Sequence, residues 1–247
     1  MRPFTILTGF VLICRLAGMQ SMAQERSVTL TVSITRNSED GAKAAATKPR
    51  DDSNVAVWLT PIGEAKSAAL AAPATPAPQL VQRNKTFYPH ILIVPVGTLV
   101  AFPNKDPFFH NIFSFHEGKR FDLGLYEAGT TRTVLFDRSG VSFLFCNIHA
   151  EMSAVIVAVN TPYYALSGRS GNVAIPNVPD GRYELNVWYE RSLPEELKPL
   201  SRVVNISDSS RNLGVIRLKE NPNFTLAHKN KYGLDYVPPP SPAYNHP

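Results

Sequence analysis

The chain is almost without cysteine. It has two in 247 residues, Cys14 and Cys146. Histidine is also sparse, with six residues and no His-x-His pair. Charge of one sign is not in large excess: 25 Lys and Arg stand against 20 Asp and Glu, a net +5 with histidine neutral. That balance, with its basic residues scattered, argues against a nucleic-acid binder. Apolar runs long enough to span a bilayer are missing beyond the N-terminus. Amphipathic helical patterns are missing too. Hydrophobic residues still make up 44 % of the chain, enough to bury a core, and the length suits two ordinary domains.

The N-terminus reads MRPFTILTGFVLICRLAGMQSMAQ. Arg2 supplies a basic start, and residues 4–17 form an apolar stretch interrupted by Arg15. A small-residue site at Ser21-Met22-Ala23 precedes Gln24. This is the pattern of a secretory signal peptide over residues 1–23, with an uncleaved anchor as the rival reading. Cleavage at Ala23 would remove Cys14 and leave no membrane span. The protein would then be periplasmic or secreted, and Cys146 would be its one thiol. An oxidising compartment makes a lone thiol a liability. Cys146 is therefore buried and inert, paired between molecules, or bound to a metal.

The remaining pattern is all-β. SVTLTVSIT at 27–35 alternates polar and apolar residues, and NVAVWLT at 54–60 reads as a second strand. AKSAALAAPATPAP follows, which sets a linker over 65–78. The segments LVQRNKTF, HILIVPVG, TLVAFPN, NIFSF, TTRTVLF, GVSFLFC and SAVIVAVN then each read as a short strand. Many short strands between turn residues point to a sandwich or barrel. After Thr161, SGRSGNVAIPNVPDGRYELNVWYE gives two strands around a Pro-Asp-Gly turn, and SRVVNIS and NLGVIRLK give two more. Residues 221–247 form a tail that ends in VPPPSPAYNHP, a Pro-rich stretch expected to be extended or disordered.

The chemistry gathers in FLFCNIHAEM, residues 143–152. A strand ends at Cys146 and another begins near Met152. The turn between them lets Cys146, His149 and Met152 converge. Thiolate, imidazole and thioether together favour a soft metal, and two histidines, one cysteine and a long axial methionine are the pattern of a blue-copper electron-transfer centre. The loop holds one histidine only, so the second must come from elsewhere. His110, in FPNKDPFFHNIFSF and 36 positions before Cys146, is the best placed. His90 opens a strand, His116 lies in a polar turn, and His228 and His246 lie in the tail.

Residues 79–160 resemble a cupredoxin of the plastocyanin and amicyanin type. The elements that carry the resemblance are FYPHILIVPVGTLVAFPN, HNIFSF and CNIHAEM, with the Cys-x₂-His-x₂-Met spacing of a short amicyanin loop. FDLGLYEAGTTRTVLF is similar to a strand pair of exported methylamine-utilisation proteins of this type. The resemblance implies a Greek-key sandwich holding one type 1 copper ion, with His110, Cys146, His149 and Met152 as ligands. It implies that Asn111 donates its backbone N–H to the thiolate. It also implies that His149 reaches the surface as an electron port, within an apolar collar of Phe108, Phe109, Ile148 and Ala150; core packing is the rival role for the two phenylalanines. Lys105, Lys119 and Arg120 would add a basic rim facing an acidic partner. Relatives usually carry proline after the second histidine. Ala150 stands there instead, which bears on the redox potential more than on metal binding.

SGRSGNVAIPNVPDGRYELNVW resembles a carboxypeptidase-regulatory-like, or transthyretin-like, β-sandwich. That resemblance implies a split domain, 25–64 plus 161–220, with the cupredoxin inserted in it. The rival arrangement places 25–64 inside the cupredoxin as extra strands. The function expected is a single-electron shuttle between protein redox partners, and not an enzyme. Multicopper oxidases and copper nitrite reductases need more histidines, and no nucleophile–base pair suggests hydrolysis. A copper carrier or sensor, or a structural β-sandwich, is the alternative.

Overall fold

A computed structural model describes residues 27–36, 50–63, 76–115 and 117–236. The expected signal peptide, most of the 65–78 linker and the Pro-rich end from 237 lie outside the described residues. The protein is all-β: among the described residues, helix is limited to one turn, α1 (Pro194–Leu197), and a 3₁₀ turn at Lys198–Leu200. Among the same residues no helix is long and apolar enough to cross a membrane.

The chain forms two compact units. The first takes the described residues up to 63 with Tyr163–Glu190 and Pro194–Lys219. The second takes residues 76–162 with Arg191–Leu193 and the chain from Glu220.

In the first unit, β1 (Val28–Thr35) runs between β13 (Asn172–Ile175) and β16 (Asn212–Lys219). It is antiparallel to β13 and parallel to β16. A second sheet has the order β12 (Tyr164–Leu166), β2 (Ala56–Pro61), β14 (Gly181–Trp188), β15 (Arg202–Ile206). The alternation is clean. Val28, Leu30, Val32 and Ile34 are buried while Thr29 and Thr35 are exposed, the period of a sheet with one dry face.

In the second unit, β5 (Ile91–Pro95), β11 (Ser153–Val159), β10 (Gly140–Phe145), β7 (His110–Ser114) and β8 (Phe121–Tyr126) form a five-stranded sheet in that order. β6 (Thr98–Pro103) pairs with β9 (Thr131–Phe136), and β3 (Val81–Arg83) pairs with β4 (Thr86–Tyr88). The run SAVIVAV is buried at every position, because β11 is a central strand parallel to β5 and antiparallel to β10. LVQRNKTF, expected as one strand, is instead the β3–β4 hairpin. Asn84 and Lys85, at φ +55° and +54°, turn the chain in the left-handed conformation that tight hairpins require.

This topology puts three segments at one end of the sheet. The β10–β11 hairpin is registered Phe145 to Ser153, so its connecting loop is residues 146–152. β7 lies beside β10 with Phe113 opposite Phe145, and His110, three residues earlier, stands next to that loop.

Candidate metal centre

The loop is closed by its own backbone. The Cys146 amide donates to the Met152 carbonyl, and the Met152 amide donates to the His149 carbonyl, both at 3.1 Å. Cys146 and Met152 are fully buried and belong to the core cluster with Phe102, Ile112 and Leu144. The hairpin strands fix both ends of the loop, and the core fixes its two sulfur side chains.

Cys146 Sγ stands 3.7 Å from His110 Nδ1 and 3.6 Å from His149 Nδ1. All three atoms lie within 4.8 Å of one another. A thiol has one proton, so it cannot donate to both imidazoles. Two donors that each sit about 2.0–2.3 Å from one small ion are roughly 3.5–3.8 Å apart at tetrahedral to trigonal angles. The observed separations match that span, and the soft thiolate with two imidazoles suits copper. The donor set therefore fits the ion that the sequence suggests.

His110 is completely buried, and its orientation has a cause. Its Nε2 meets Asp106 Oδ2 at 2.8 Å, which turns Nδ1 toward the sulfur. A carboxylate behind a histidine fixes its tautomer and raises its basicity. Asp106 also accepts the Asn84 amide at 2.5 Å and the Lys85 amide at 2.9 Å, both offered by the β3–β4 turn. Burial alone would push the Asp106 carboxyl up. The Lys85 amide, the His110 ring and the Asn84 amide outweigh it and hold the group below its ordinary value. The loop before His110 is ordered by Asn104, which accepts the Asp106 amide at 3.0 Å and donates to the Phe108 carbonyl at 2.8 Å.

His149 is half-buried. Desolvation first, and then the neighbouring His110, push its imidazole below its ordinary value, which leaves the ring neutral and free to ligate near pH 7. The two histidine rings lie 4.9 Å apart between centroids.

Of the residues expected around the site, Phe109, Ile148 and Ala150 are exposed. Phe108 is half-buried and packs on both histidines, 5.2 Å from the His110 ring and 5.6 Å from the His149 ring. Asn111 is buried in β7, and its side-chain amide donates to Asp122 at 2.7 Å. Lys119 is committed to Asp137 at 2.8 Å, while Lys105 and Arg120 are exposed. The cation beside the site is Lys85, whose Nζ is 5.7 Å from the centre of the Phe108 ring. His90 bonds the Ser153 carbonyl through Nδ1 at 3.1 Å, away from the cluster.

Sequence patterns pass over Asp106 and Lys85. For Asp106 a signal exists: an acidic residue inside the apolar loop FPNKDPFFH, four positions before the histidine. Lys85 has none, because only the hairpin brings it to Phe108.

No family model matches the chain, and no relative is found among curated proteins. Solved structures similar to it include a purple cupredoxin from Nitrosopumilus maritimus, 24 % identical, covering 33 % of this chain and 99 % of its own, TM-score 0.31. A copper-containing nitrite reductase from Thermus scotoductus SA-01 is 22 % identical at TM-score 0.33; the match covers 51 % of this chain and 28 % of that enzyme. A methionine-to-alanine mutant of amicyanin in its Cu(I) form is 16 % identical, covers 42 % of this chain and 98 % of its own, TM-score 0.32.

Proposed function

We propose that the second unit binds one copper ion through His110, Cys146 and His149, with Met152 as a weak fourth ligand. The protein then acts as an exported single-electron carrier between protein partners, and not as an enzyme. The observation that carries this reading is the convergence of one thiol and two imidazole nitrogens at 3.6 and 3.7 Å.

Bound copper would supply one-electron redox chemistry. The residues supply what makes such chemistry fast. Cys146 must bind as thiolate, and its burial in the core excludes oxidants that attack a free thiol. Asp106 holds His110 in one tautomer, and the hairpin holds Cys146 and His149. Donors fixed this way rearrange little when charge changes, so little of the barrier is reorganisation. His149 is half-exposed; Ile148, its neighbour in the chain, and Phe109, which follows the Phe108 that packs on its ring, are 47 % and 55 % exposed. A small apolar surface at the one ligand that reaches solvent suits brief docking of a redox partner. The complete burial of His110, Cys146 and Met152 favours a carrier of electrons over a carrier of exchangeable copper.

The test is a visible spectrum of the chain from Gln24 after Cu(II) addition. An intense thiolate-to-copper charge-transfer band is expected, bleached by reductant and wholly absent in Cys146→Ala. Weak absorption that Cys146→Ala leaves unchanged would sink the reading.

A further inference from the structure

Residues 221–236 fold onto the second unit, although they look in sequence like the front of a Pro-rich tail. The segment is held at its start by the Asn221 amide, which donates to the Arg191 carbonyl at 2.7 Å. It is shaped within itself by Asn230. That side chain accepts the Tyr232 and Leu234 amides at 2.9 and 3.1 Å, and Gly233 turns the chain at φ +77°.

The segment touches the ligand loop, the end of β10 before it, and β8. The Tyr236 hydroxyl donates to the Cys146 carbonyl at 2.5 Å. The Lys231 amide donates to Asn147 Oδ1 at 2.9 Å, so two consecutive residues of the ligand loop are held from outside. Lys231 Nζ bonds Asp122 at 2.8 Å, and Asp122 in turn accepts the side-chain amide of Asn111, the residue after His110. His228 stacks on Phe145, the residue before Cys146, with centroids 4.1 Å apart and planes 22° apart. Its Nε2 lies 3.0 Å from the Tyr236 hydroxyl, and its Nδ1 lies 3.2 Å from the Leu226 carbonyl. The Tyr236 hydroxyl has one proton, and the Cys146 carbonyl can only accept. A neutral His228 ring has one N–H, so it donates either to the Tyr236 hydroxyl through Nε2 or to the Leu226 carbonyl through Nδ1, and not to both.

We infer that residues 221–236 are a clamp on the ligand loop, with Tyr236 and Lys231 as positioning residues for Cys146 and Asn147. The inference rests on the copper reading for its redox consequence only. A local loop with Ala150 after its histidine has its backbone freedom reduced here by contacts more than 80 residues away in sequence. The hydroxyl also turns the positive end of its dipole toward the cysteine ligand, which favours the electron-richer state of the site.

The experiment uses the chain from Gln24, in which Cys146 is the one thiol, together with its Tyr236→Phe variant, the same chain ended at Glu220, and Tyr232→Phe as a control in the same segment. In metal-free protein, the rate at which Cys146 reacts with an aromatic disulfide reagent reports opening of the loop. Loss of one such hydrogen bond should raise it about fivefold in Tyr236→Phe. The rise should be larger in the shortened chain, and Tyr232→Phe should match wild type. In copper-loaded protein, Tyr236→Phe should shift the charge-transfer band and lower the reduction potential, which a purely structural contact would leave in place. Unchanged thiol rate and unchanged band in Tyr236→Phe would overturn the clamp, whatever the shortened chain does. A wild-type protein without a charge-transfer band would overturn the copper reading alone. The thiol rate would then decide the clamp.

Discussion

Each unit buries an aspartate, and each handles it differently. In the first unit Asp52 is 1 % exposed and is met by Arg36 at 3.3 Å and by Arg50. It also accepts the Ile34 amide at 3.3 Å. Two cations neutralise it, and it ties β1 to the chain that leads into β2. In the second unit Asp106 is also buried, yet its partners are two backbone amides and His110. No arginine or lysine side chain bonds it among the described residues. A buried charge needs compensation in either place. Full cations use that charge up in holding the fold. Amides and an imidazole leave it free to orient the imidazole, and the oriented imidazole is what faces the thiol. The same contrast runs through the strands. β1 and β14 bury apolar residues and expose polar ones, while β7 buries His110, Asn111 and Ser114.

If the units carry separate burdens, a lesion in one should spare the other. Gly171, in the first unit, has φ +80°, and a Cβ there would lie 2.0 Å from the Val32 carbonyl oxygen. Gly171→Ala should destabilise that unit by about 3–5 kcal/mol. Both tryptophans, Trp58 and Trp188, lie in the first unit, so their fluorescence should follow its unfolding. The absorption of the copper-loaded second unit should persist at temperatures where the tryptophan signal has gone. Simultaneous loss of both would show that one cooperative fold carries both.

Asp106→Asn cuts the other way. It keeps one acceptor oxygen and puts an NH2 in place of the other, so it removes the charge and at least one of the three contacts, and it should cost about 1–3 kcal/mol in the second unit. Copper affinity should fall about 10- to 100-fold, measured by competition with a chelator. Tryptophan-detected melting should not move.

Acid extends that comparison. Asp106 and Asp122 both have folded values below their ordinary ones, so the unfolded chain binds protons more readily than the folded one. Their stabilising contribution is complete above about pH 4 and is lost as pH falls through the lower folded values. Hydrogen exchange at residues 106–115 and 122–126 should quicken in that window. Exchange that stays flat down to about pH 2 would contradict the assignment.

The smallest effect is expected at the surface. Phe109→Ser should change stability by no more than about 0.5 kcal/mol and leave the visible spectrum alone. It should slow electron exchange with a docking protein partner, read by stopped flow. A changed spectrum would mean that Phe109 shapes the site and not its surroundings.

Much of this was legible from residue order. Strand alternation in 27–35 and the unbroken apolar run of 153–159 follow from a period of two and from burial, which are local properties. Cys146 and His149 are three residues apart, and the tight loop after β10 brings Sγ and Nδ1 to 3.6 Å. Spacing within the loop does not name the second histidine, and it is the place of His110 between two strands, 36 positions before Cys146, that singles it out. His110 joins the loop because β7 lies beside β10, a pairing across more than 30 residues. Asp106 acquires its role only when the β3–β4 turn covers it with two amides. Tyr236 sits 90 residues from the carbonyl it bonds, in a stretch whose composition suggests no structure. The pattern of apolar residues sets which segments are strands and which donors share a loop. Long-range pairing sets which distant groups orient and restrain those donors, because a hydrogen bond across the fold leaves no periodic trace in the chain.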